Sequence, residues 1–205
     1  MVNGTAGDLC TLSDVQGYLA NTNAASIPQL QALITQVSAW VEGYCERDFT
    51  GIVSYTWLTD GLGGDTLPLP NGPVTAITSV LLDGSPVLPS SVYPAYGYLA
   101  DGRSVTIIGG CFTRAKKNVQ IVYSAGYPYV FTPGAGSDPT KDVLTGVPAD
   151  LRFAVVETVA LRFKSITRIG KNSENIQGQT TSYDNSIAPK DALAILGIYK
   201  RNTPW

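Results

Sequence analysis

Apolar positions recur at helical spacing over the first fifty residues and then change rhythm. Thr11-x-x-Asp14 supplies an N-cap and a first-turn acid for a short helix running to about Ala20. Ser26-x-x-Gln29 has the form of a capping box, with Pro28 tolerable in the first turn. Behind it Leu30, Leu33, Ile34, Val37, Val41 and Tyr44 follow at helical intervals, with Trp40 beside them. This predicts a long second helix. Over 53–125 short runs of Val, Ile, Thr and Tyr are separated by Gly, Pro and Asp, which predicts strands at 54–59, 75–82, 104–108 and 119–124. Asp83-Gly84 is a hairpin turn signal, and Pro68 and Pro70 confine their segment to a sheet edge or an extended loop. The stretch 132–146, rich in Gly, Pro and small polar residues, predicts an exposed loop.

Helical spacing returns at Pro148-Ala149-Asp150, a proline and an acid suited to a helix start, and is expected to run to about Ile169 with Arg168 in the last turn and Gly170 as a stop. Its middle, 153–163, is apolar on several faces, which predicts burial among other elements. Trp40, Val41 and Tyr44 are expected to meet Val155, Val159 and Phe163. Residues 170–187 read as polar and irregular, and Pro189-Lys190-Asp191 opens a last helix ending near Lys200-Arg201. The fold class is therefore α+β: a four-helix frame from both chain ends with a β-rich antiparallel insertion between the second and third helices. The expected parts are 1–50, 51–147 and 148–205, the first and third packing as one domain.

Composition adds limits. Hydrophobic residues make up 44% of the 205 residues, enough for a core. Charged residues make up 15%, below the roughly 25% of an average domain, which hints at surface covered by partners. The opening Met1-Val2-Asn3-Gly4 has neither a basic nor an apolar leader region, so no secretion signal and synthesis in the cytoplasm are expected. The 153–163 run is interrupted by Glu157 and too short to span a bilayer, so no membrane partner is expected. Three scattered cysteines, Cys10, Cys45 and Cys111, argue for buried thiols and against a disulfide framework. Residues 1–65 carry seven acids and one base, whereas 148–205 carry eight bases and five acids. This is either two solvated faces or the acidic end of one copy meeting the basic end of the next; on the second reading Glu42, Glu46, Arg162, Lys164 and Arg168 are inter-subunit residues.

The chain has no histidine, which removes the commonest general base and one of the commonest zinc ligands, and with them every Ser-His or Cys-His pair. Asp60 and Asp65 flank a Gly-rich turn near Trp57 and resemble a glycosidase acid pair, but hairpin turns favour Asp and Gly for conformational reasons. Gly170-Lys171 lacks the strand and first glycine of a phosphate loop, and Gly134-x-Gly136 lacks the strand-to-helix setting of a dinucleotide site. Lys116-Lys117 reads as a solvated turn, and a weakly acidic chain does not suit direct DNA reading. No catalytic residue, metal or cofactor is assigned, and an enzyme is not expected.

Four stretches in order complete the picture. Leu9-Cys10-Thr11-Leu12-Ser13-Asp14-Val15 leads the short helix. Ala39-Trp40-Val41-Glu42-Gly43-Tyr44-Cys45 with Arg47-Asp48-Phe49 closes the long one. Val147-Pro148-Ala149-Asp150-Leu151 and Ala194-Ile195-Leu196-Gly197-Ile198-Tyr199-Lys200-Arg201 frame the end. Between them, Leu67-Pro68-Leu69-Pro70-Asn71-Gly72-Pro73-Val74 and Val122-Tyr123-Ser124-Ala125-Gly126-Tyr127 bound the β-region. In this order the chain, over about residues 9–201, resembles the head-to-tail connector proteins of tailed bacteriophages, also called adaptor or head-completion proteins, in their long form. The resemblance implies a virion neck protein in a homo-oligomeric ring, commonly twelve-fold, joining the portal to a stopper or tail-completion protein. Packaged DNA would pass through its channel without sequence-specific binding. It also implies portal contact through 189–205, hence Leu193, Leu196, Tyr199, Lys200, Arg201 and Trp205. Two alternatives stay open: a tail-terminator or stopper ring, expected to be mostly β, and a carbohydrate- or receptor-binding module using Trp57 and the tyrosines of 93–98.

Overall fold

The computed structural model describes residues 7–90, 95–135, 138–166, 173–176, 179–182 and 187–201. In chain order its elements are α1 (Leu12–Leu19), α2 (Ile27–Cys45), β1 (Ile52–Gly61), β2 (Thr66–Pro68), β3 (Val74–Leu82), β4 (Ser85–Val87), β5 (Gly97–Ala100), β6 (Ser104–Ile108) and β7 (Ala115–Gly126). There follow β8 (Val130–Thr132), β9 (Val143–Thr145), α3 (Ala149–Ser165), β10 (Ser173–Ile176), β11 (Gln179–Ser182) and α4 (Lys190–Tyr199). The protein is α+β, with its β-rich region between α2 and α3 as expected. The chain divides into two compact units, Met1–Phe49 with Tyr129–Lys200, and Thr50–Pro128 with Arg201–Trp205.

In the helical unit α1 begins with a reciprocal cap. The Thr11 hydroxyl accepts the Asp14 N–H at 3.2 Å, and the Asp14 carboxylate accepts the Thr11 N–H at 3.0 Å. α2 begins differently from the sequence expectation. Ser26 is already helical, at φ −87° and ψ −11°, so its side chain makes no cap. Its hydroxyl turns back to donate to the Asn23 carbonyl at 2.7 Å. Asn23 is the cap instead, of a short 3-10 turn over Ala24–Ser26, and its side chain accepts the Ala25 N–H at 3.0 Å.

α3 is the central element and touches α1, α2 and α4. Leu151, Ala154, Val155, Val156, Thr158, Val159 and Ala160 are all buried, and several are small enough to let neighbouring helices approach closely. The Thr158 hydroxyl donates to the Ala154 carbonyl at 2.8 Å, so its polarity is absorbed within the helix. Val41 is fully buried, as the apolar spacing of α2 requires. Trp40, Tyr44 and Phe163, by contrast, are half-buried, and Trp40 stacks on Tyr44 at 5.5 Å.

The β unit holds two antiparallel sheets, ordered β1-β7-β3-β4 and β2-β6-β5. Alternate residues of β7, namely Val119, Ile121, Tyr123 and Ala125, point into a shared core with Leu67, Leu69, Val105 and Phe112. The expected turn is present: Asp83 and Gly84 both take positive φ, 50° and 78°, and join β3 to β4 as a two-residue hairpin. Pro68 lies in β2, at a sheet edge.

Two expectations need correction. The segment 132–146 is not an open loop: its ends pair as β8 and β9. Inside it the Gly134 N–H donates to the buried Asp142 carboxylate at 2.8 Å, and a Cβ on Gly134 would sit 2.2 Å from the Asp138 carbonyl oxygen. By compactness β8 and β9 fall in the helical unit, which takes up the chain again at Tyr129. The Tyr129 hydroxyl holds the strand to the start of the chain, accepting the Gly7 N–H at 3.0 Å and donating to the Asp8 carbonyl at 3.1 Å. Lastly, 170–187 contains the β10–β11 hairpin. The predicted stop of α3 at Arg168 and Gly170 lies outside the described residues; the described helix closes at Ser165. Cys10 and Cys45 are buried free thiols, whereas Cys111 is exposed.

Candidate docking surfaces

Of the two carboxylates that resembled a catalytic pair, Asp60 is occupied with local structure. The Asp60 carboxylate accepts the Lys117 N–H at 2.7 Å, where β1 and β7 slip register between Thr59 and Gly61. Lys117 takes φ 49° there, so the lysine pair is a turn feature. Trp57 packs against the β core. Tyr98 is buried in it and Tyr96 is exposed, so Trp57 and these two do not form one exposed face, and Tyr93 lies outside the described residues. Among the described residues no His, Cys, Asp and Glu group is placed to hold a metal ion. No described helix is long and apolar enough to cross a membrane. Gly136, Gly170 and Lys171 lie outside the described residues.

α4 carries most of the residues expected to meet a portal, and its two sides differ. Ala192 and Leu196 are fully buried, so Leu196 serves its own unit and is not free to dock elsewhere. The Cys45 thiol donates to the Leu196 carbonyl at 3.6 Å, and burial pushes that thiol up to about 11, so it stays protonated. Leu193 is half-buried. Tyr199 is tied inward: its hydroxyl donates to the Asp150 carboxylate at 2.6 Å, its carbonyl accepts from Arg47 at 3.2 Å, and its ring meets Phe49 edge-on at 6.0 Å. The opposite side of α4 presents Ala194, Gly197 and Ile198 to solvent, Ile198 at 67% exposure. Lys200 is exposed with its ammonium 4.8 Å from the Tyr44 ring centre, Arg201 is exposed, and Trp205 lies outside the described residues.

The candidate inter-subunit charges sit at helix ends. Glu42 is half-buried; its carboxylate is bonded to the Phe49 N–H while Oε1 is sealed from solvent without a partner. Burial holds its pKa above the ordinary value, and Asp48 adds to the effect. Glu46 is exposed and ends α2 in the left-handed region, at φ 52°. Arg162 and Lys164 stand in the last turn of α3, where a cation complements the carbonyl end of the helix. Arg162 also lines a groove of about 330 Å³ with Leu33, Trp40 and Ile166, whereas Lys164 is exposed. Arg168 lies outside the described residues.

One surface was not anticipated. Tyr18 of α1 and Phe153 of α3 are both about half exposed and meet edge-on at 6.1 Å, the Tyr18 hydroxyl donating to Glu157 at 3.3 Å. Phe153 was counted in the apolar run of α3, and only its outward position reveals an exposed aromatic.

Tyr18, Phe153 and Ile198 are exposed apolar side chains, the kind of surface that partners cover. The family agrees: residues 8–202 match the head completion protein family, and the chain belongs to it. Family membership makes it a head completion protein. No curated protein matches the chain. Among solved structures it is similar to a chain from the neck of an empty gene transfer agent particle computed with C6 symmetry, at 15% identity and TM-score 0.46, covering 100% of this chain and 97% of that one. It is also similar to a chain from the native particle's neck computed with C12 symmetry, at 17% identity and TM-score 0.45, with coverage of 100% and 97%. A third likeness is to a chain of the native gene transfer agent virion, at 16% identity and TM-score 0.47, with coverage of 100% and 94%.

Proposed function

We propose that copies of this chain form a ring that joins the head's portal to a stopper or tail-completion protein and continues the DNA channel. The observation that carries this reading is membership of the head completion family over nearly the whole chain. Within it, α4 supports a specific portal contact. Its inner stripe is used up by the helical unit, so docking falls to the outer residue Ile198 and the basic end, Lys200 and Arg201, with Trp205 beyond. An apolar centre rimmed by cations is the composition of a docking patch. The role is structural, and no reaction is assigned to it.

The test is co-purification with the portal. Charge reversal at Lys200 and Arg201 together with Ile198→Asp should abolish it while the melting temperature stays within a degree or two of the parent, since these side chains are exposed. Undiminished binding by that variant would move the portal contact off α4.

A further inference from the structure

Among its described residues the β unit has four sheet edges, and three of them are closed to further pairing. β4 is three residues long with Pro86 at its centre. β2 is equally short and ends in Pro68. β5 is covered by the segment beside it: the Ser90 N–H donates to the Tyr98 carbonyl at 2.9 Å, and the Tyr98 N–H to the Leu88 carbonyl at 3.0 Å. Short strands, prolines and covering segments are the usual means of blunting an edge.

β1 has none of these. It runs ten residues, from Ile52 to Gly61, pairs only with β7, and ends the sheet. From Ile52 to Thr59 it holds no charged residue and no proline, only Ile, Val, Ser, Tyr, Thr, Trp and Leu, which favour strands or tolerate them. Ile52, Val53 and Leu58 are exposed along it. A strand of this length and composition, left open, is a template for another strand.

A second element has the converse deficit. Among the described residues β10 and β11 form a two-stranded sheet of their own, with no third strand. A two-stranded ribbon is marginal in water, and its outer edges leave backbone N–H and C=O groups for a further partner. Its eight strand residues include one charge, Glu174, and no proline or lysine, so nothing in them blocks pairing.

We infer that the β10–β11 hairpin of one copy adds to the open edge of β1 of the next copy, extending the four-stranded sheet across the subunit boundary. This rests on the ring proposed above. The contact is heterologous, one surface meeting a different one, which is the type that closes into rings.

The experiment uses full-length chains in a Cys111→Ser background, which removes the exposed thiol. Chains carrying Ser54→Cys are mixed with chains carrying Thr180→Cys, assembled on the portal, and treated with a short bismaleimide. Covalent dimers containing one chain of each kind are expected, because side chains on paired strands lie about 5 Å apart. Dimers formed within the Ser54→Cys population alone would instead show β1 pairing with β1 and overturn the inference. In parallel, replacing 173–182 by Gly and Ser residues should raise the concentration needed for ring assembly by about tenfold or more, equivalent to about 1.4 kcal/mol or more per contact. Should that replacement disturb folding, Leu58→Lys carries the test, since Leu58 is exposed and a lysine there blunts the edge. Rings that assemble normally in both variants refute the strand pairing while leaving the ring intact. A wild-type chain that never oligomerises on the portal refutes the ring reading as well.

Discussion

The two units solve the problem of a core in opposite ways. The helical unit joins residues up to Phe49 with residues from Tyr129 onward, so the chain must close a long loop before α2, α3 and α4 can meet. The β unit, apart from a few C-terminal residues, is one uninterrupted stretch, in which the local hairpins β3–β4 and β5–β6 accompany long-range pairing of β1 and β3 with β7. Their interiors differ to match. Around α3 the helical core is tiled with small side chains, Ala154, Ala160, Ala188 and Ala192 among valines and leucines. The β core is filled by large ones, Phe112, Tyr123 and Tyr98, set between two sheets. The helical unit buries one ring fully, Phe49, and otherwise spreads its stabilisation over many small contacts, while the β unit concentrates it in several rings.

The sharpest way to test that contrast is to remove one ring from each unit. Phe112 is 1% exposed, and Phe112→Ala should cost about 3–5 kcal/mol, the range for an aromatic lost from a packed core. Trp40 is larger but half-buried and lines a groove, so Trp40→Ala should cost only about 1–2 kcal/mol. Urea melts followed by circular dichroism give both numbers. An equal cost at the two positions would break the contrast, showing that the helical unit also leans on its largest ring.

That pair also shows where the sequence was informative. Periodicity identified α2 and the burial of Val41, but it cannot tell which residue at the margin of an apolar stripe faces out, and Trp40 sits at that margin. Strands with several apolar positions, β3 and β6, were legible to within a residue. β4, β5, β8 and β9 are three or four residues long, too short for alternation to register. The division of the units at Pro128 has no local signal, because Tyr129 joins the helical unit through its hydroxyl, which bonds the distant Gly7 N–H and Asp8 carbonyl. Of the site residues, the exposed Lys200 and Arg201 were readable from a helix end. The burial of Leu196 depends on which side of α4 faces α2 and α3, and the stripe on each side is apolar.

The caps offer a finer comparison within the helical unit. Thr11 and Asp14 satisfy two backbone donors at once, so Thr11→Ala should destabilise by about 1 kcal/mol. Ser26 has the same sequence form, yet its hydroxyl is spent on the Asn23 carbonyl and makes no cap. Ser26→Ala should therefore change stability by less than about 0.5 kcal/mol. Matched losses at both positions in thermal melts would restore the capping box that the sequence suggested for α2.

The smallest effect is the one that depends on pH, and it separates a structural role for Glu42 from an inter-subunit one. Desolvation is the main cause that holds the Glu42 carboxyl above its ordinary pKa, with Asp48 repelling its charge and the Phe49 N–H partly offsetting both. The folded chain then binds this proton more tightly than the unfolded chain does. Stability from this group is complete below the ordinary glutamate value and is lost as pH rises through the raised folded value, leaving a standing cost at neutral pH. Glu42→Gln removes the charge and keeps an oxygen to accept the Phe49 N–H. The variant should melt above the parent at pH 7, and the gap should close as pH falls below the ordinary glutamate range. Paired melts of the isolated chain at the two pH values measure this directly. A variant less stable than the parent at pH 7 would show that the Phe49 N–H requires a full negative charge. In that event Glu42 is a fixed part of the α2 terminus, and an acidic contact between copies must be carried by the exposed Glu46.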